Sequence, residues 1–285
     1  MLRRLLPLVR QPIDDYLAAL NMLLSGHRYL ESGLIGIAAL LVSWWIYVPL
    51  HELAHAFGCL LGGGTVTRLD VNPLYGAALL QRVFPFVHVG SEYAGQLTGF
   101  DTRGSDVTYL LTDFLPFVGT IVVGVPMLRA AGVPGWRPGV QAALFAAALP
   151  VAFAPFISLT GDYYEMGSIL VSRAVATVDP SFPVGRWRGD DLFLIAPRVF
   201  APEGGGGTLG DALGLALSFL VGTVLALLTY AAGTACAKIG RIASRRAQPA
   251  NRSGTSGRPK RKEERSWAQS GRAQAIPAPR RNSTS

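Results

Sequence analysis

Charge is what this chain lacks most. Only 15% of its 285 residues are Asp, Glu, Lys or Arg and 50% are hydrophobic, against roughly 25% charged in an ordinary soluble domain. That balance points to a bilayer as the solvent. Cysteine is nearly absent, and Cys59 and Cys236 lie in separate apolar segments, which excludes a disulfide framework. The amino-terminal stretch has no continuous apolar core, because Arg3, Arg4 and Arg10 are interspersed with Pro7 and Pro12. A removable signal peptide is therefore not expected. No internal repeat is visible.

Crossing a hydrocarbon core of about 30 Å takes about 20 predominantly apolar residues, and four stretches qualify. Residues 33–61 hold one charged residue, Glu52; 108–128 hold one, Asp113; 139–161 and 212–237 hold none. The first would serve as the insertion signal. The expected fold class is an all-α polytopic membrane protein with about four to five transmembrane helices and a small strand-rich insert between the first two. Residues 1–32 read as an interfacial amphipathic segment, with Leu20, Leu23 and Leu24 set among Asp14, Asp15 and Arg28. A membrane core follows over 33–177. Its insert, about 62–107, opens on Gly62, Gly63 and Gly64 and continues through Val66, Leu69, Val71, Phe84, Phe86, Val87 and Val89 as short strands or hairpins. Residues 178–208, with four prolines and the run Gly204 to Gly207, have loop composition, and 209–237 form the last transmembrane helix. Pro49, Pro116, Pro126, Pro150 and Pro155 fall inside the apolar segments. Such breaks persist in membranes where neighbouring helices or cavity water satisfy the freed backbone groups.

The net charge of +8 sits in one place. From Lys238 onward there are 13 Lys and Arg against Glu263 and Glu264, a net of +11, so residues 1–237 sum to −3. Residues 238–285 read as a disordered basic tail held in the cytoplasm beside anionic lipid heads. Nucleic acid is not an expected partner, since Trp267 is the tail's single stacking aromatic.

His51, Glu52, Leu53, Ala54 and His55 set two imidazoles four residues apart, about 40° around a helix, so both face one point. Zn²⁺ takes such nitrogen ligands, and a catalytic zinc uses three protein ligands with a fourth position open to water. Glu52, beside the first ligand, can take a proton from water that the metal has acidified. The pattern is short and recurs by chance in soluble helices. What sharpens it is the setting, because ionisable groups inside an apolar span are costly and mark functional sites.

The stretch Val48 to Gly62, VPLHELAHAFGCLLG, resembles the site-2 protease family of intramembrane zinc metalloproteases. The order of segments over roughly residues 34–177 also looks like that family. The resemblance implies zinc held by His51 and His55, Glu52 as general base, and a carboxylate in the third apolar segment as third ligand. It implies membrane-spanning protein substrates and an insert that holds the unwound substrate. Where that family has an Asn- and Pro-rich stretch leading to Leu-Asp-Gly, this chain reads Leu159-Thr160-Gly161-Asp162-Tyr163-Tyr164-Glu165-Met166-Gly167. Asp162 is the expected third ligand, since Gly161 allows a sharp turn before it; Glu165 is the alternative, and Asp113 a further one, or a partner that orients a ligand histidine.

The remaining polar residues read plainly. His27 and His88 are isolated interfacial or loop histidines, and Cys59, too far along the axis from His51, is a packing residue. The expected activity is zinc-dependent hydrolysis of peptide bonds in membrane-spanning substrates, with the bilayer as the other partner. The alternative is a non-catalytic zinc-binding membrane scaffold or chaperone. Two arguments on orientation conflict. Four simple crossings with a cytoplasmic tail put the exit of the first span outside, whereas the resemblance places the catalytic end nearer the cytoplasm and requires residues 162–177 to cross or re-enter.

Overall fold

The structure, a computed structural model, describes residues 2–25, 28–189, 191–201 and 207–247. The expectations for His27 and for the tail beyond residue 247 lie outside these residues. Helix α1 (Leu2–Leu24) runs through Pro7 and Pro12. It is docked as well as amphipathic: Ala19 is buried, and Arg129 donates to both Asp15 oxygens at 2.8 Å. Helix α2 (Tyr29–Leu61) is 33 residues long. Together with Asp106–Ala131 and Leu209–Gly240 it makes, among the described residues, three helices long and apolar enough to cross a membrane.

The second of these is broken where the sequence has proline. Helix α4 (Asp106–Phe114), capped by the Ser105 hydroxyl accepting from Thr108 N–H, gives way to a 3₁₀ turn at Leu115–Phe117, a π turn at Thr120–Gly124, then α5 (Val125–Ala131). Proline has no N–H to give to the carbonyl four residues back, so Pro116 frees Thr112 and Pro126 frees Val122. Gly58 of α2 lets α4 approach closely, since a Cβ there would overlap the Leu111 carbonyl.

The third apolar stretch is also interrupted. It comprises α6 (Pro138–Ala152), α7 (Ala154–Ile157), an irregular turn at 158–161, and α8 (Asp162–Val178). Pro155 frees the Val151 carbonyl, and the Thr120 hydroxyl donates to it at 2.7 Å. Contacts order these pieces along α2. Gly139 lies against Ile35, the Ser43 hydroxyl donates to the Ala147 carbonyl, and Asp162 meets His51 and His55. Farther on, Arg173 pairs with Asp106, whose helix bonds the Gly62 carbonyl through Thr108. Thus α6, α7 and α8 run in the same direction as α2, and residues 162–178 continue the path of α6 instead of doubling back.

Helix α9 (Leu192–Phe200) lies inside the stretch expected to be loop. Asp191, whose carboxylate accepts from Phe193 N–H, starts it ahead of an apolar run. Helix α10 (Leu209–Ala247) extends ten residues past the expected end of the last span, because Ala, Lys, Ile and Arg sustain a helix and no proline intervenes before Pro249. The packed unit is Met1–Ala243; in the second, Ser244–Ser285, the last turn of α10 is the described part.

The insert is a three-stranded sheet with a short crossover. Strand β1 (Thr65–Val71) pairs in parallel with β2 (Val87–Val89) and antiparallel with β3 (Gly95–Asp101), in the order β2-β1-β3. Helix α3 (Ala77–Val83), which the sequence reading did not separate from the strands, joins β1 to β2. Leu69, Val71, Val87 and Ala77 bury against Leu53 and Ala56 of α2. The sheet therefore folds back along α2: Gly64 lies on Cys59, and the Leu74 carbonyl accepts from Trp45 Nε1 at 2.6 Å. Fourteen helical residues rise about 21 Å, and a seven-residue strand covers about 23 Å.

Candidate metal centre

Leu53 and Ala56 commit one face of α2 to the sheet, so His51 and His55, nearly opposite Leu53 on the helix, project towards the broken helices. Their Nε2 atoms stand 3.2 Å apart. Asp162, first residue after the interruption at 158–161, brings Oδ2 to 3.5 Å from His51 Nε2 and Oδ1 to 3.7 Å from His55 Nε2. With one ligand atom from each residue, the three donors lie within 4.8 Å of one another.

These distances are compatible with a shared cation. A ring N–H donating to a carboxylate would approach to about 2.7–3.2 Å. Two ligands of a tetrahedral ion with bonds of about 2.0–2.1 Å stand roughly 3.3 Å apart, so the triangle has the dimensions of a shared cation site. Two imidazoles and a carboxylate fit a divalent ion, and that donor set suits iron or nickel as well as zinc.

Both rings are oriented from behind. His55 Nδ1 lies 2.9 Å from the Thr112 carbonyl, the group left without a helical donor by Pro116. A carbonyl only accepts, so Nδ1 carries the proton and Nε2 presents its lone pair to the centre. His51 Nδ1 lies 2.8 Å from the Tyr47 hydroxyl. Phe117, carried by the 3₁₀ turn at Pro116, makes a T-shaped contact with the His51 ring, centroids 5.4 Å apart.

Glu52 opens into the same cavity of about 280 Å³, which Gln96, Leu97, Tyr109 and Asp113 also line. Its side chain lies over Gly95, where a Cβ would collide with it. The residues named from sequence separate as follows. His51, His55 and Asp162 converge; Glu165 is buried and accepts a hydrogen bond from the Tyr109 hydroxyl; Asp113 is buried at the cavity wall. His88 sits on β2 with Nδ1 3.1 Å from the Phe86 carbonyl. Cys59 is buried with Sγ 3.6 Å from the Thr65 carbonyl. Sequence reasoning missed Tyr47, the Thr112 carbonyl, Tyr109 and Gly95. Two had signals: Tyr47 precedes His51 by four residues on one helical face, and Pro116 follows Thr112 by four. Comparison of the chain with protein-family models, curated proteins and solved structures finds no match.

Proposed function

We propose that this chain is a multi-pass membrane zinc metalloendopeptidase that hydrolyses peptide bonds of membrane-spanning proteins. The convergence of His51, His55 and Asp162 beside Glu52, with both histidines and Glu52 on a helix long and apolar enough to cross a bilayer, is the observation that carries this reading. The resemblance of Val48 to Gly62 to site-2 proteases supports it from sequence.

Zinc held by His51, His55 and Asp162 would supply Lewis acidity, lowering the pKa of water towards about 7 and polarising a carbonyl. The chain does the rest. Tyr47 and the Thr112 carbonyl keep the two rings aimed at the centre. Glu52 takes the proton of the attacking water and returns it to the leaving amine. A peptide bond inside a helix is shielded by its own hydrogen bonds, so the substrate has to be extended when it is cut. Strand β3 is an edge of the sheet, and its Gly95, Gln96 and Leu97 line the cavity. Its unpaired backbone edge suits an added substrate strand.

In this reading the chain crosses the bilayer four times. At 15 residues, α6 rises only about 22 Å, so α6, α7 and α8 together make one crossing interrupted at the metal. The insert, lying along α2 between Trp45 and Cys59, then sits at bilayer depth. The basic tail holds the end of α10 in the cytoplasm, which directs the Gly62 end of α2, and the nearby metal centre, towards the opposite surface.

The decisive experiment compares wild type with Glu52→Gln by peptide mapping of the whole membrane proteome. The expected result is accumulation of an uncut membrane protein in the variant with zinc content unchanged. If Glu52→Gln sustains the cellular role with zinc bound, the scaffold reading replaces this one.

A further inference from the structure

Asp162 supplies one of the three converging donors, yet its own segment does little to fix it. Helix α7 ends at Ile157 and α8 begins at Asp162 itself, so the carboxylate stands on the first residue after an irregular turn, and helix ends fray. Within that turn the Ser158 carbonyl accepts from Tyr163 N–H at 3.1 Å and the Gly161 carbonyl from Glu165 N–H at 2.9 Å. The Thr160 carbonyl has a donor from elsewhere in the fold, Leu192 N–H at 2.7 Å.

Leu192 is the first residue of α9. The N–H at that position has no acceptor inside its own helix, and a carbonyl in apolar surroundings has to find a donor. One bond answers both needs, and it pins the backbone two residues before Asp162. Helix α9 is itself anchored. Ile195 and Val199 bury among Tyr164 and Val171 of α8, Leu215 of α10 and Trp187, and the Tyr164 hydroxyl donates to the Trp187 carbonyl at 2.7 Å. On the other flank of Asp162 stands α10. A Cβ at Gly222 would overlap the Tyr163 carbonyl, so the two helices touch backbone to backbone one residue after the ligand. The Tyr163 hydroxyl also donates to Thr229 Oγ1 at 2.9 Å, which fixes α8 along the length of α10.

We propose that α9 and α10 brace the third metal ligand: the Leu192 N–H and the close approach at Gly222 hold the chain on either side of Asp162, which makes Leu192 and Gly222 positioning residues for the centre. Neither lines its cavity; both act through the peptide units that flank Asp162. Ligand distances in metal sites are held to about 0.2 Å, so a small displacement of either flank is felt as lost affinity. The inference rests on the metal-centre reading and makes no use of hydrolysis.

Proline tests the first contact. It is well tolerated at the first position of a helix, and Asp191, with φ −152° and ψ 134°, already has the extended backbone that proline requires of its predecessor. Leu192→Pro therefore deletes the N–H and leaves α9 able to start, while Leu192→Ala trims the side chain and keeps the N–H. Gly222→Ala tests the second contact. Its control is Gly233→Ala, because Gly233 packs closely on Val125 of α5, away from Asp162. Each full-length variant is purified in detergent, its zinc affinity read by competition with graded chelators, and the absorption spectrum of its cobalt(II) form recorded. Leu192→Pro and Gly222→Ala should each lose zinc affinity at least about tenfold and shift the cobalt bands towards those of Asp162→Ala. Leu192→Ala and Gly233→Ala should keep wild-type affinity and spectrum. In an Asp162→Ala background, Leu192→Pro and Gly222→Ala should change nothing further, which separates a brace on this ligand from general loosening of the fold. Wild-type affinity in Leu192→Pro and Gly222→Ala, or losses that persist undiminished in the Asp162→Ala background, overturns the brace and leaves the metal centre standing. A wild-type chain that binds neither ion overturns both.

Discussion

Replacing Tyr47 by Phe removes one oxygen and nothing else. The ring keeps its contact with His51, at a centroid separation of 5.3 Å, so packing should survive. What is lost is the 2.8 Å hydrogen bond to His51 Nδ1. Leaving a half-buried ring nitrogen without its partner costs about 1–3 kcal/mol. At 1.4 kcal/mol per tenfold, that weakens metal binding by roughly 5- to 150-fold, in line with the 10- to 100-fold typical when a group orienting a metal ligand is removed. The assay is competition between the purified protein and a graded series of chelators, with retained zinc measured by elemental analysis. Zinc affinity of Tyr47→Phe within twofold of wild type would refute the claim that the phenol keeps the His51 ring aimed at the centre. The His55 side offers a contrast, since its acceptor is a main-chain carbonyl that no side-chain substitution removes.

Four further outcomes are expected. His51→Ala and His55→Ala should each lose most zinc. In the same chelator series Asp162→Ala should lose it by a larger factor than Glu165→Ala; wild-type retention in Asp162→Ala with loss in Glu165→Ala would transfer the ligand role to Glu165. Gly58→Ala forces a methyl group onto the Leu111 carbonyl and should cost about 1–3 kcal/mol of stability. Thermal unfolding in detergent measures that cost, and an unchanged midpoint would show that α2 and α4 are not in close contact there. A reporter fused after Ser285 should register the cytoplasm, and activity confined to the outer side would reverse the proposed orientation.

Much of the fold was legible because charge is so sparse in this chain. The absence of Asp, Glu, Lys and Arg delimited the helices around 33–61 and 108–128, and the start of the one around 212–237, to within a few residues, and the spacing of His51 and His55 specified a shared face. Alternation of Leu69 and Val71 marked the buried side of β1. What stayed hidden depends on where pieces meet. Nothing in Leu159 to Gly167 says that α8 continues the direction of α6, since that follows from Asp162 and Arg173 reaching α2 and α4 at opposite ends of α8. Helix α9 was obscured by the prolines around it, although Asp191 ahead of Leu192 and Phe193 is an ordinary helix start. The end of α10 was misplaced because charge was taken as the boundary, whereas Lys and Arg continue a helix readily.

The prolines link sequence to site most directly. A helix that crosses an apolar medium satisfies every carbonyl internally, so an uninterrupted span offers a metal ligand nothing to lean on. Proline releases one carbonyl at a known position, four residues back, and in hydrocarbon that carbonyl must find a donor. Pro155 releases Val151, which the Thr120 hydroxyl takes up, tying the two broken helices together. Pro116 releases Thr112, which lies against His55 Nδ1 and so fixes the tautomer that leaves Nε2 available. The same turn delivers Phe117 to a T-shaped contact with the His51 ring. In the third apolar stretch the break at 158–161 places Asp162, the remaining donor, at the level of the two histidines. Helix breaks at Pro116 and at 158–161 therefore do for this centre what a second coordination layer of carboxylates does in soluble metal sites. Pro116→Ala tests the argument: it restores a donor to Thr112, so it should weaken metal retention while making the helix itself more regular.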